Sequence, residues 1–169
     1  MVLIDVFPKK IYLDTSIFIA EFDKSDLRHK ILTSFFEKIK RVKNVELCYS
    51  RWALTEVFDV LTRKQIEELN IYKYLNSILN KNKIRGFNLR SLEVCSNPDY
   101  NFPHFFDDLG KDLKKCKSKK SKPSLADIIH RRIMKNNRIK TILTFDADFE
   151  KLPGIVSINL FKTEDETKK

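Results

Sequence analysis

Glycine is nearly absent from this sequence, with 3 in 169 residues, and proline is scarce at 5. That scarcity excludes a collagen-like, loop-rich or low-complexity chain. Cysteine is as rare. Cys48, Cys95 and Cys116 are odd in number, widely spaced and include no C-x-x-C, so neither a disulfide framework nor a zinc site is encoded. Such a set suits a reducing compartment. No apolar run approaches the roughly 18 residues of a membrane span. The start, MVLIDVFPKK, lacks the basic opening and long apolar stretch of a signal peptide. A soluble cytoplasmic protein with no membrane attachment is expected.

What is plentiful is core-forming material. The chain is 42% hydrophobic with 13 Phe, too rich for a disordered protein. Its length suits one domain of about 100 to 200 residues. A domain of this size buries roughly 70% of its extended-chain surface and folds without staples. Lys and Arg number 33 against 23 Asp and Glu, a formal charge of +10 with pI near 9.5, so a polyanion is the first partner to consider.

Patterning gives the elements. Residues 11–13 are a short apolar run that breaks at Asp14-Thr15-Ser16, the pattern of a buried strand entering a capped helix. Residues 29–43 place Ile31, Leu32, Phe35, Phe36 and Ile39 at helical spacing. Val45–Tyr49 reads as a second strand, with Ser50 capping a helix to about Arg63, and an amphipathic helix is expected over 64–80. Residues 84–122 are irregular, broken by Gly86, Pro98 and Pro103, and end in KDLKKCKSKKSK. A helix from Pro123 to about Asn136, a strand at 141–144, a DADFEKL turn and a strand around 155–160 follow, with a frayed tail over 162–169. Short strands alternating with helices specify an α/β domain with a mostly parallel sheet. Ligands bind such sheets at the carboxyl ends of the strands.

Acidic residues fall at those ends. Asp14 follows the first strand, and Asp146 with Asp148 follows the strand 141–144. Each is also an ordinary N-cap residue. On a helical wheel, Glu56 lies just outside the apolar arc beside Trp52 and Val60, while Asp59 can pair with Arg63 at i,i+4. Asp127 stands three residues after Ser124, where a capping box or a pair with Arg131 would explain it. The histidines, His29, His104 and His130, are scattered and form no i,i+4 ligand pair. His130, beside its helix's apolar stripe, reads as a structural residue.

Taken in order, IYLDTS, WALTEVFDVL, PSLADIIH and ILTFDADF resemble the PIN-domain nucleases, most closely the VapC-like ribonuclease toxins. The resemblance covers nearly the whole chain except about 84–122. It implies a single three-layer α/β domain, and a metal-dependent endoribonuclease acting as a toxin or an RNA-processing enzyme. By motif, the catalytic and metal-binding acids would be Asp14, Glu56, Asp127 and Asp146, with Asp148 a candidate fifth. Thr15, Ser16 and Thr144 take the small hydroxyl positions that line such sites. Hydrolysing a phosphodiester requires an activated water and charge stabilisation, which two divalent ions about 4 Å apart can supply. Mg²⁺ and Mn²⁺ prefer oxygen ligands, and converging carboxylates without cations would repel one another. RNA is the implied substrate, an antitoxin protein the implied partner, and a homodimer the implied assembly.

The stretch 84–122 departs from that pattern as a basic insertion. Residues 81–122 carry 11 Lys and Arg against 5 Asp and Glu, a net of +6, leaving +4 for the rest. Seven lysines lie in 111–122. Lys114, Lys115, Lys117, Lys119 and Lys120 are candidate contacts to an RNA backbone, and Tyr100, Phe102, Phe105 and Phe106 candidate base-stacking rings. Alternatively, the aromatics pack an extra helix and the lysines are solvated. The function from another class is a non-catalytic RNA-binding scaffold on the same fold.

Overall fold

A computed structural model describes residues 7–93, 102–117 and 123–165. Its elements are β1 (Lys10–Leu13), α1 (Thr15–Phe22), α2 (Leu27–Ile39), β2 (Glu46–Ser50), α3 (Arg51–Arg63), α4 (Glu68–Lys81), β3 (Lys83–Ile84), β4 (Phe87–Leu92), α5 (Phe102–Lys117), α6 (Leu125–Asn136), β5 (Thr141–Thr144), a 3-10 turn (Ala147–Lys151), β6 (Val156–Asn159) and α7 (Leu160–Asp165). The sheet order is β3-β4-β2-β1-β5-β6. Every pairing is parallel except the β3–β4 hairpin. The chain first builds outward on one side of β1, through β2 and β4, and then returns to its other side with β5. Strand order therefore reverses between β1 and β5, where doubly wound sheets open a crevice.

Alternation along the strands divides the core into two. Ile11 and Leu13 of β1, Leu47 and Tyr49 of β2 and Leu143 of β5 pack with α1 to α4. Tyr12, Cys48 and Ile142, one residue out of phase, pack with α5 and α6. These are the three layers that the resemblance implied, with helices on both faces.

The caps lie where small polar residues precede apolar periodicity. Asp14, Asp26, Ser50 and Ser124 accept from the first-turn amides of α1, α2, α3 and α6. Boundaries differ from expectation where the backbone turns left-handed. Helix α2 stops at Ile39 rather than 43, ahead of Asn44 at φ 66°. Gln65 at φ 59° interrupts the chain after α3, so α4 begins at Glu68 rather than 64.

Residues 84–122 contain more regular structure than their punctuation suggested. Strand β4 joins the sheet beside β2. Its hairpin with β3 turns through Arg85 at φ 48° and Gly86 at φ 86°. Helix α5 packs on α6, burying Phe105, Leu109 and Cys116. This is the extra helix weighed above, and Phe106 remains exposed. Of the aromatics and cations read there, Tyr100, Lys119 and Lys120 lie outside the described residues, as do the side chains of Phe102 and Lys117. Helix α7 takes up the first half of the tail expected to fray. Among the described residues, no helix is long and apolar enough to cross a membrane.

Candidate active site

The cleft lies at the carboxyl ends of β1 and β5, and Asp14, Glu56, Asp127 and Asp146 all line it, within a volume of about 240 Å³. Asp14 arrives directly from β1. Its amide bonds Leu143 O at 3.1 Å, which locks the end of β1 to β5. Asp146 leaves β5 two residues after Thr144 and caps the 3-10 turn. Glu56 comes from the second turn of α3, and Asp127 from the first turn of α6, where it closes the capping box with Ser124. Arg131 does not pair with Asp127. It bonds Asp112 and the carbonyl of Pro153. Asp59 and Arg63 form the expected i,i+4 pair at the rim of the cleft.

The hydroxyls expected around the site are engaged with its acids. Asp14 Oδ2 accepts from Ser16 Oγ at 2.6 Å and Thr144 Oγ1 at 2.7 Å. Glu56 Oε2 accepts from Thr15 Oγ1 at 2.6 Å. Asp127 Oδ2 accepts from the Ser124 amide at 2.8 Å, and Asp146 Oδ1 from the Asp148 amide at 2.8 Å. One pattern runs through all four. Each carboxylate is anchored through one oxygen, while the other takes no hydrogen bond from the described residues. Asp148 stands apart. It is exposed, does not line the cleft, and pairs with Lys151 at 2.5 Å.

Burial raises the Asp127 carboxyl, and the neighbouring charge of Asp146 adds to that, against the hydrogen bonds of Ser124. Glu56 shifts the other way. Burial alone would raise it, but the hydrogen bond of His130, with those of Thr15 and the nearby Trp52 indole, holds it below the ordinary glutamate value.

His130, which the sequence reads as a structural residue, lies against two of the acids. It is buried, 2% exposed, with Nε2 at 2.5 Å from Glu56 Oε2 and 4.0 Å from Asp14 Oδ1. A signal existed: three residues after Asp127, it shares that residue's face of α6. Its partner Tyr12, which in turn bonds Ser50 deeper in the core, left no trace beyond being polar in a buried strand.

The available donors are carboxylate oxygens, which suit hard cations such as Mg²⁺ or Mn²⁺. Among the described residues, no three His, Cys, Asp or Glu side chains gather tightly enough to hold an ion. The cleft has the donors of a hard-cation site without their closure around one.

The family model of the PIN domain matches residues 11–155. The chain belongs to the PIN domain family. Solved structures share the fold at low identity. VapC20 of Mycobacterium tuberculosis, a sarcin-ricin loop cleaving toxin, is 17% identical over 85% of this chain and 95% of its own, with a TM-score of 0.58. VapBC2 of Rickettsia felis, solved on a DNA fragment from its promoter, is 14% identical over 89% and 98%, with a TM-score of 0.61. FitAcB of Neisseria gonorrhoeae is 13% identical over 89% and 98%, with a TM-score of 0.55. No curated protein matches the chain. The four acids of this PIN domain thus sit at its topological switch point, two from each half of the chain.

Proposed function

We propose that this PIN domain is a Mg²⁺- or Mn²⁺-dependent endoribonuclease, with Asp14, Glu56, Asp127 and Asp146 as its metal-binding and catalytic acids. The observation that carries this reading is the shared anchoring: four carboxylates on one cleft, each fixed through one oxygen and open at the other. Acids serving only as caps or ion pairs would have no reason to converge. Bound divalent ions would supply phosphate charge neutralisation and an acidified water. The chain's own part is to place and orient. Asp14 and Asp127, the most buried of the four at 5% and 8% exposure, serve as principal ligands. Glu56 and the exposed Asp146 complete the set or orient the attacking water. Thr15, Ser16 and Thr144 act on the substrate indirectly, by holding the acids. Asp148, on Lys151, serves outside the metal set.

The role closest to its structural neighbours is that of a toxin whose cleft an antitoxin covers, acting in the cytoplasm as a homodimer. An RNA-processing role would use the same chemistry. Lys114, Lys115, Lys117, Lys119 and Lys120 would hold the RNA backbone.

The test is cleavage of a model RNA with Mg²⁺ or Mn²⁺, comparing the wild type with Asp14→Asn and Asp127→Asn. Both variants should fall to background, and chelator should stop the wild type. Cleavage that survives both substitutions, or ignores chelator, refutes the site. RNA binding without any cleavage by the wild type would make the chain a scaffold.

A further inference from the structure

The buried polar chain behind Glu56 runs through three more side chains. His130 Nδ1 lies 2.7 Å from the Tyr12 hydroxyl, and that hydroxyl lies 2.6 Å from Ser50 Oγ. Ser50 Oγ also accepts from the Ala53 amide at 3.2 Å. Both ends of this chain have a fixed polarity. The amide can only donate, and an ionised Glu56 can only accept. Nε2 of the imidazole therefore carries a proton facing Glu56; in the neutral ring Nδ1 then accepts from Tyr12, and the Tyr12 oxygen accepts from Ser50. This assignment satisfies every polar atom in the series, as burial requires. Tyr12 is fully buried, which raises its pKa well above the ordinary phenol value and keeps its proton in place.

Glutamate on a helix surface has several rotamers available. Here two donors, His130 Nε2 at 2.5 Å and Thr15 Oγ1 at 2.6 Å, converge on the same oxygen. The Trp52 indole N–H is buried beside the same carboxylate and favours its ionised form.

Resting on the reading of the cleft as a metal-dependent nuclease site, we propose that His130 is a positioning residue. Locked as the Nε2–H tautomer by Tyr12 and Ser50, it fixes Glu56 Oε2 and reserves Oε1 for the reacting centre. His130 touches neither substrate nor cation and acts through Glu56. Residues that orient a ligand in this way typically contribute about 10–100-fold to metal affinity or activity.

Three readouts test the role in the full chain: Mn²⁺ affinity by calorimetry, kcat and KM on a model RNA, and long-range ¹H–¹⁵N spectra of labelled histidine. His130→Ala should weaken Mn²⁺ binding and lower kcat by about 10–100-fold, with KM for RNA nearly unchanged. His130→Gln, which keeps an N–H donor, should recover most of both. Tyr12→Phe should shift both in the same direction by a smaller factor and end the single-tautomer spectrum of His130. The wild-type spectrum should show the proton on Nε2. A folded His130→Ala protein that equals the wild type in Mn²⁺ affinity and kcat, a Gln variant no better than Ala, or a proton on Nδ1 would overturn the positioning role while leaving the nuclease reading intact. A wild type that neither binds Mn²⁺ nor cuts RNA overturns the nuclease reading, and the purpose of His130 with it.

Discussion

Asp14 and Asp26 are both N-caps, yet their carboxylates are spent differently. Asp14 gives one oxygen to its helix and to Thr144 and keeps the other in the cleft. Asp26 spends both oxygens locally, one on the Arg28 amide and one on the Arg28 guanidinium. The Arg28 side chain, with the cap amide, holds the Asp26 carboxyl below its ordinary value. A carboxyl depressed in the folded state stabilises the fold above the unfolded pKa, near 3.9, and loses that contribution as pH falls through the folded value. Asp26→Asn should therefore lie below the wild type in unfolding free energy at pH 6. The gap should shrink steadily below about pH 4 when followed by denaturant titration. At this scale the sequence was informative about the acids and read His130 only as a structural residue. An acid at a strand end declares itself through its neighbours in the chain. The partners of His130, Tyr12 and Glu56, lie 118 and 74 residues away, and a helical wheel shows only one element.

Helix α5 is joined to α6 by a buried ionic network. Asp112, 2% exposed, receives Arg132 Nε at 2.8 Å and Arg131 Nη1 at 3.0 Å, while Asp108 receives Arg132 Nη1 at 3.0 Å. Removing one member leaves a buried charge uncompensated. Asp112→Ala should cost about 3–5 kcal/mol in chemical denaturation, and Asp112→Leu with Arg132→Met should recover most of it. Recovery to no better than the single variant would mean the helices need the ions themselves. The element was hard to see in the sequence because its apolar stripe is thin. Phe105, Leu109 and Cys116 are buried on one face together with Asp112, while lysine dominates the remainder. Strand β4 was hidden for a related reason. Only Leu89 and Leu92 are buried along it, with Arg90 and Ser91 exposed between them, so the continuous apolar run of a buried parallel strand is missing. The strands β1 and β5 were legible because both their faces are covered, which gives the apolar runs Ile11-Tyr12-Leu13 and Ile142-Leu143.

Over the whole molecule, charge and chemistry are separated. The acids gather at one crevice, while lysines crowd the exposed side of α5, with Lys114 and Lys115 both exposed there. If that helix holds RNA, Lys114→Gln with Lys115→Gln should weaken binding at low salt. It should also flatten the plot of log affinity against log salt by about 0.7 per lost contact to a single strand. An unchanged slope would return these lysines to solvent.

The bond from Thr144 to Asp14 spans 130 positions of the chain. Pairings so distant in sequence are the slowest to form, and a chain emerging from the ribosome folds from its amino-terminal part first. Asp14 and Glu56 are made early, but the crevice waits for α6 and β5. A growing polypeptide that stops short of residue 127 has two of the four acids, and one that stops short of 146 has three. The cleft thus closes only once residue 146 has been made, and a product truncated before it lacks a wall of the crevice by topology alone.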